Sequence, residues 1–297
     1  MRLVTYSDGT GSRVGVRRDG EVVPLGAAGT SLTDLPLGDV AALRRLAEGD
    51  GGGVPAGSVE LLAPVRPSGC VYCVGWNYLD HFAEGHAAGG HKVEEMPAHP
   101  TFFFRAPATV VGPGEDIPID PRLSPQLDYE AEIAVVIGRG GRNVPEDRAW
   151  EHVLGLTLAN DVTVRDIQRR HGNQWSKGKS IDGTCPLGPE IVTLDEVGDL
   201  SQVKITCTVN GELRQSATLG QMAFPIPRIL SELSAGMTLR SGDVVLTGTP
   251  SGVGYARKPP AFLTAGDEVV VAATGLGELR NRVVEADLTS YVRSAAD

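Results

Sequence analysis

A dense succession of short strand-like runs is the feature that most constrains the fold. From residue 70 onward, apolar and β-branched runs are separated by Pro, Gly and Asp, as in "CVYCVG", "TFFFR", "EAEIAVVIG", "HVLGLTLAND", "CPLGPEIVT", "VKITCTVNGELR", "GDVVLTGTP", "DEVVVAAT" and "ELRNRVVEA". The better helices are short and are predicted near 145–152, 163–170 and 225–235. Strands without regular helical alternation predict a β-rich α+β fold, a mixed roll or sandwich-like barrel, rather than a doubly wound sheet.

The first 66 residues differ from the rest. Two alternating runs, "MRLVTYS" and "SRVGVRRDGEVVPL", predict antiparallel strands around Gly-containing turns, and "DVAALRRLAEG" predicts a helix. The Gly-rich "GDGGGVPAG" follows. We therefore expect a small N-terminal α+β domain at 1–66 and a larger catalytic domain at 67–297.

Composition excludes several function classes. The 297 residues are 41% hydrophobic and 22% charged, which is typical of a globular chain. A net charge of -10 disfavours nucleic acid and anionic membrane as partners, because both require a basic surface. Neither a signal peptide nor an 18-residue apolar span is apparent, so we expect a cytoplasmic protein.

The four cysteines predict no disulfide framework. Cys70 and Cys73 form a CxxC, but its surroundings are apolar and strand-like and no second ligand pair follows, so we interpret the pair as structural rather than redox-active or zinc-binding.

The stretch "DYEAEIAVVIG" places two like charges in a strand that otherwise reads as buried. Side chains alternate along a strand, so Glu130 and Glu132 face one side and their apolar neighbours the other. Buried together, the carboxylates require a proton or a cation between them. An exposed edge strand, or separate salt bridges to arginines, explains the stretch equally well.

Asp161 favours the cation. It follows the apolar run "VLGLTLAN", at a strand end where side chains point into clefts. Three carboxylates without His or Cys suit a hard cation such as Mg²⁺, Mn²⁺ or Ca²⁺ rather than Zn²⁺.

Six motifs in order resemble the fumarylacetoacetate hydrolase family: "CVGWNYLDHFAEG", "DYEAEIAVVIG", "ANDVTVRDIQ", "KGKSIDGTCPLGP", "FPIPRILSELSAGMTLRSGDVVLTGTPSGVG" and "GLGELRNRV". They cover residues 70–285, and their ordered combination is more specific than any one alone. The resemblance implies a mixed β-roll fold, a homodimer, and Mg²⁺ or Mn²⁺ held by Glu130, Glu132 and Asp161.

The resemblance also implies a water-activating dyad. "DHFAEG" supplies His81 and Glu84, one helical turn apart, so the carboxylate can fix the imidazole tautomer. Without the family pattern, a solvated surface histidine is the simpler interpretation. His86, His91 and His99 follow at spacings that do not suit zinc, and residues 82–100 are expected to form a lid.

Three further residues match positions of the family. Lys179 in "SKGKSIDG" corresponds to a lysine beside the metal that neutralises surplus carboxylate charge and stabilises an enolate, although the sequence alone does not separate it from Lys177. Gln168 and Thr249 correspond to substrate-binding positions that contact the substrate carboxylate.

The implied activity is hydrolysis of a carbon–carbon bond in an acylpyruvate or other 2,4-dioxo acid, through a metal-stabilised enolate. The resemblance points to the branch of acylpyruvases and 2-hydroxyhepta-2,4-diene-1,7-dioate isomerases. A decarboxylase or an isomerase or tautomerase of 2-oxo diacids would use the same site, and these alternatives remain open. A metal-dependent binding protein without turnover is a third, which the intact dyad weakens.

Overall fold

The computed structural model describes residues 1–48, 52–67, 69–88, 95–172 and 174–290. It contains nineteen strands in that part of the chain: β1 Arg2–Ser7, β2 Ser12–Arg18, β3 Glu21–Pro24, β4 Val54–Pro55, β5 Glu60–Leu62, β6 Val71–Gly75, β7 Thr101–Arg105, β8 Val110–Val111, β9 Ile117–Ile119, β10 Leu127–Asp128, β11 Ala131–Ile137, β12 Val153–Asn160, β13 Thr163–Val164, β14 Cys185–Thr193, β15 Lys204–Val209, β16 Glu212–Thr218, β17 Val244–Leu246, β18 Glu268–Ala273 and β19 Gly277–Glu285.

Helices are short. The α-helices of the described residues are α1 Val40–Ala47, α2 Leu79–Ala88, α3 Arg165–Arg170, α4 Ser176–Lys179, α5 Leu194–Val197 and α6 Ile226–Ser234. Single 3₁₀ turns connect other elements, and a longer 3₁₀ segment covers Glu146–His152.

The strands form three sheets. The largest has the order β4-β3-β2-β1-β14-β12-β11-β17-β6-β7, with β5 beside β1 and β8 beside β14. A second sheet has the order β16-β15-β18-β19-β9, and β10 pairs with β13. Most pairings are antiparallel, but β17 runs parallel to β6, β19 parallel to β9 and β8 parallel to β14.

Strand β11 lies at the centre because apolar cores cover both of its faces. Ile133 and Val135 belong to the core that includes the five-stranded sheet and α6, whereas Ala134 and Val136 belong to the core that includes α1. Every residue of β11 is buried. A central strand with two buried faces has little freedom to move, and it fixes the position of whatever side chains begin it.

The β-rich α+β fold is confirmed, although none of the described sheets closes into a barrel. The predicted run "CPLGPEIVT" is β14 and "TFFFR" is β7. The segment predicted to be helical at 163–170 begins as β13 and becomes α3, and the helix predicted at 145–152 is 3₁₀.

The N-terminal residues share the largest sheet. Strand β1 pairs with β14, with Leu3 opposite Ile191, and both side chains lie in one core. Asp19 and Gly20 form the positive-φ turn of the predicted β2–β3 hairpin. The described contacts join the segments before and after residue 66 in one sheet. The domain boundary at residue 66 stays a prediction.

Two other predictions concern membrane-spanning helices and the cysteines. Within the described residues, no helix is long and apolar enough to cross a bilayer. The cytoplasmic location stays a prediction. All four cysteines are free thiols; Cys73 is fully buried in a core and Cys70 is half-buried.

Candidate active site

Strand register brings the three acidic residues together. The first residue of β11, Ala131, pairs with the last residue of β12, Asn160. Antiparallel partners lie about 5 Å apart, so the residues just outside this pair, Glu130 and Asp161, are also neighbours. The Asp161 N–H donates to the Glu130 carbonyl over 2.8 Å. Oxygens of Glu130, Glu132 and Asp161 all lie within 4.8 Å of one another, in a buried group.

Glu132 is held by the neighbouring strand. Strand β17 pairs with β11, and two residues beyond its end the Gly248 N–H donates to Glu132 Oε2 over 2.6 Å. Gly248 has φ +99°, and a Cβ there would lie 2.6 Å from the Cβ of Asn77. The site therefore requires glycine at this position.

Two buried cations compensate part of the negative charge. Lys179 Nζ donates to Asp161 Oδ2 over 2.6 Å and to Glu130 Oε2 over 2.8 Å, and Arg165 Nη2 lies 2.6 Å from Glu130 Oε1. Burial raises the pKa of Glu130, but Lys179 and Arg165 outweigh it and lower that pKa to about 2. Glu130 is thus an anion at neutral pH.

The structure shows which of Lys177 and Lys179 lies beside the carboxylates, a choice that the sequence alone did not decide. Lys179 is 2% exposed, whereas Lys177 is exposed. Burial lowers the pKa of Lys179, but Asp161 and Glu130 raise it by more, so its ammonium stays charged. The neutralising cation is therefore Lys179; its role towards an enolate stays a prediction.

Arg105 holds the Asp161 carboxylate at the oxygen that Lys179 does not contact. Its guanidinium pairs with Asp161 Oδ1, and also donates to the Val162 carbonyl over 3.1 Å and to Thr184 Oγ1 over 2.9 Å. The side chain is 1% exposed. A carboxylate fixed on one oxygen keeps its orientation, which leaves the other oxygen for Lys179 or an ion.

The donor set fits a hard divalent ion. Glu132 has no ion-pair partner among the residues the structure describes, and it faces two other carboxylates. Burial raises the pKa of Glu132 well above its ordinary value, and Asp161 and Glu130 raise it further. A cation between the three carboxylates would relieve this cost, and three oxygen donors suit Mg²⁺ or Mn²⁺. The buried triad could thus hold a divalent ion.

The two residues of the predicted dyad lie within hydrogen-bond distance of each other, and their catalytic role stays a prediction. His81 and Glu84 lie on α2, with His81 Nδ1 2.9 Å from Glu84 Oε1. Glu84 also accepts the Gly252 N–H, at 2.9 Å from Oε2. Because Glu84 accepts at Nδ1, the neutral imidazole carries its proton there and presents Nε2 as an acceptor. His81 is 6% exposed and lines the cavity, which argues against a solvated surface histidine.

Gln168 and Thr249 also line this cavity, and each has a hydrogen left to donate. Gln168 Oε1 accepts from Arg165 Nη1 over 3.2 Å, which leaves the amide N–H groups. Thr249 Oγ1 accepts from Gln215 Nε2 over 2.7 Å, which directs the hydroxyl hydrogen elsewhere. Both are donors suited to a carboxylate, and their substrate-binding role stays a prediction.

The cavity measures about 640 Å³ and has an aromatic wall. Trp76 and Trp175 meet edge to face, with ring centroids 4.6 Å apart, and Phe103 packs on Trp175. His86 lies in the same wall, with Nδ1 2.9 Å from the Phe82 carbonyl. His99 is elsewhere, paired with Glu232, and His91 lies outside the described residues, as does part of the expected lid.

Sequence reasoning missed the residues that hold the site in place. Asp128, fully buried, accepts from Arg165 Nε over 2.8 Å and from the Gly254 N–H over 2.7 Å. Tyr255 stacks on Arg165 at 4.3 Å. The signals were faint: Asp128 stands two residues before Glu130, and Arg165 four after Asp161. Arg105 gave none, because its partner is 56 residues away.

A carboxylate triad anchored on the central strands, facing a cavity with a paired histidine, defines an enzyme whose acidic residues could hold a divalent ion. The chain belongs to the fumarylacetoacetate hydrolase family: the family model described as "Fumarylacetoacetate (FAA) hydrolase C-terminal" matches residues 70–284.

Relatives carry three different activities in their names. Oxaloacetate tautomerase YisK of Bacillus subtilis is 43% identical over 226 residues, which are 76% of this chain and 73% of that protein. The structure of a fumarylacetoacetate hydrolase from Exiguobacterium antarcticum is similar at a TM-score of 0.79 and 39% identity, over 96% of this chain and 100% of that one. A 5-carboxymethyl-2-hydroxymuconate delta-isomerase structure from Mycobacterium smegmatis has a TM-score of 0.76 and 32% identity, over 96% and 100%. The tautomerase and isomerase relatives support the predicted alternative better than they support carbon–carbon hydrolysis.

Proposed function

We propose that this chain is a metal-dependent tautomerase of a 2-oxo dicarboxylic acid that interconverts the keto and enol forms. The proposal depends most on one observation: His81, whose tautomer is fixed by Glu84, lines the same cavity as Glu130 and Glu132 of the carboxylate triad. Keto–enol exchange needs one base near C3 of the substrate and a positive site at the 2-oxo oxygen; His81 would be the base, and an ion held by the triad would be the positive site. The tautomerase and isomerase relatives support the same class of reaction.

Glu130, Glu132 and Asp161 would hold the ion. When bound, it would supply positive charge beside the 2-oxo oxygen, where negative charge develops. The residues of the chain do the rest: the Gln168 amide and the Thr249 hydroxyl donate to the adjacent carboxylate and orient the substrate.

His81 is the proposed base. Its Nε2 takes a proton from C3 of the keto form, and Glu84 stabilises the imidazolium through Nδ1. The same nitrogen then donates that proton to the 2-oxo oxygen, so the enol forms and His81 is neutral again. Lys179, already between two carboxylates, keeps the surroundings from repelling an anionic substrate.

The test follows oxaloacetate enol absorbance with Mg²⁺ or Mn²⁺. The wild type should accelerate equilibration. His81→Asn should lower kcat by about a hundredfold or more, the usual range for loss of a general base, while metal content is kept. His99→Asn is the control, since that exposed histidine lies outside the cavity. Full activity in His81→Asn would remove the dyad from the reaction.

Hydrolysis is the second candidate, because a Glu-oriented histidine can equally activate water, and the resemblance first predicted it. Acetylpyruvate would lose its diketo absorbance and release pyruvate and acetate. Turnover of acetylpyruvate without acceleration of oxaloacetate tautomerisation would make hydrolysis the activity. Release of CO₂ from oxaloacetate would instead identify a decarboxylase.

A further inference from the structure

One cationic side chain that lines the cavity, Arg169, has no role in the proposed reaction. Among the residues that line the cavity, Arg165 pairs with Asp128 and Glu130, and Lys179 pairs with the triad. Arg169, on the last turn of α3, also lines it. Within the described part of the chain, no carboxylate lies within salt-bridge distance of Arg169.

The position of Arg169 is set by an aromatic ring. Its guanidinium carbon lies 4.8 Å from the centroid of the Tyr255 ring, on which Arg165 also packs at 4.3 Å. The backbone N–H of Tyr255 donates to buried Asp128 over 3.1 Å, so the main chain that carries the ring is held at the base of the site. Stacking on a ring limits an arginine's rotamers while its N–H donors stay available.

The net charge of the site indicates which ligand group the N–H donors of Arg169 would bind. With every group ionised, the triad and its buried neighbours carry one net negative charge, since the four carboxylates of Asp128, Glu130, Glu132 and Asp161 face the three cations of Arg105, Arg165 and Lys179. A divalent ion would reverse this to one positive charge, which the first carboxylate of a 2-oxo acid neutralises. A second carboxylate then needs another cation.

We propose that Arg169 binds the distal carboxylate of the substrate and thereby selects 2-oxo dicarboxylates over 2-oxo monocarboxylates. This inference rests on the proposed function, and it names the residue that makes the site a diacid site. Arg169 lies one residue beyond Gln168, so the two ends of a short diacid would meet consecutive residues of α3. A planar guanidinium can accept a carboxylate on two parallel N–H bonds.

The experiment compares oxaloacetate with its 4-methyl ester, which keeps the 2-oxo acid but removes the distal charge. In Arg169→Gln, kcat/KM for oxaloacetate should fall at least about tenfold, mainly through KM, as expected for loss of a charge-assisted hydrogen bond. The value for the ester should change less than about twofold. Arg170→Gln is the matched control, because Arg170 is exposed on the same helix, as Arg169 is, but pairs with Asp166 and does not line the cavity.

A binding measurement separates this inference from the proposed function. Trp76 and Trp175 line the cavity, so their fluorescence should report binding of L-malate and its 4-methyl ester to the Mg²⁺-loaded protein. The wild type should prefer malate at least about tenfold, and Arg169→Gln should lose that preference. A wild type that shows this preference without tautomerase activity refutes the proposed function only. Equal losses for diacid and ester, or no loss, would overturn the role of Arg169.

Discussion

Glu132 is the least compensated charge of the site. Its carboxylate accepts the Gly248 N–H and faces two other carboxylates, in full burial. Removing such a charge should stabilise the metal-free fold, whereas the metal-bound fold depends on it. The proposed metal binding by Glu132 therefore comes at a cost in the stability of the metal-free fold.

The first prediction concerns Glu132→Gln. With EDTA, its unfolding temperature should equal or exceed that of the wild type. Mg²⁺ or Mn²⁺ at about a hundred times Kd should stabilise the wild type by about 2.7 kcal/mol and leave the variant unchanged. Thermal unfolding measures both, with Glu285→Gln on the surface as control. Equal stabilisation by metal in Glu132→Gln would contradict the metal-site assignment.

The pH dependence of that difference is the second prediction. The folded metal-free protein binds the Glu132 proton more tightly than the unfolded chain, whose glutamates have a pKa of about 4.3. The stabilising contribution is complete below that value and is lost as pH rises through the raised folded pKa. In EDTA, the stability advantage of Glu132→Gln should therefore grow from about pH 5 upward. Denaturant midpoints measured against pH test this, and parallel curves would refute it.

At the scale of elements, the turn after β17 fixes Glu132 to its neighbour. Gly248→Ala would place a Cβ 2.6 Å from the Cβ of Asn77, and alanine is strained at φ +99°. We expect a loss of about 1–3 kcal/mol in unfolding free energy, together with weaker metal binding.

Gly211→Ala is the matched control for this third prediction. Gly211 has φ +79° in the turn between β15 and β16, and nothing lies within 4 Å of the position that a Cβ would occupy there. It should lose the backbone contribution alone, without an effect on metal affinity. Chemical denaturation and metal titration measure both variants; an equal cost at the two glycines would show that the Asn77 contact is unimportant.

Secondary structure explains why the sequence indicated the group of three carboxylates but not the residues that hold them in place. Period-2 alternation in β11 sufficed to place Glu130 and Glu132 on one side, because it is a local property. Arg105 meets Asp161 only through tertiary packing over 56 residues, and no local pattern encodes that. Segment 163–170 reads as one helix because its strand part, β13, exists only by pairing with β10.

At the scale of the whole molecule, the first 66 residues and the remainder share one sheet. Strands β2 and β14 lie on either side of β1, and Leu3 and Val14 share a core with Ile191. The compositional change near residue 66 predicted a domain boundary; backbone pairing across it depends on contacts that composition does not carry. The homodimer implied by resemblance likewise stays a prediction.

The fourth prediction is that residues 67–297 do not fold alone. Deleting 1–66 would expose the β14 edge and the apolar face that Leu3 and Val14 cover. We expect an insoluble product or non-cooperative unfolding, judged by solubility and circular dichroism against the full chain. A soluble fragment with cooperative unfolding and metal binding would establish an independent catalytic domain.

The placement of the triad at the adjoining ends of β11 and β12 has a consequence for how such a protein diverges. The three carboxylates belong to the most constrained part of the molecule, whereas the cavity walls come from α2, α3, the segment around Tyr255 and the aromatic residues Trp76, Phe103 and Trp175. Among the described residues, the wall side chains Arg169, Trp76 and Trp175 form no hydrogen bond or ion pair with the three carboxylates, so substitutions there can alter which acid enters without disturbing the triad. The architecture thus places the carboxylate triad apart from several wall side chains, so new specificities can arise at those side chains while the triad stays unchanged.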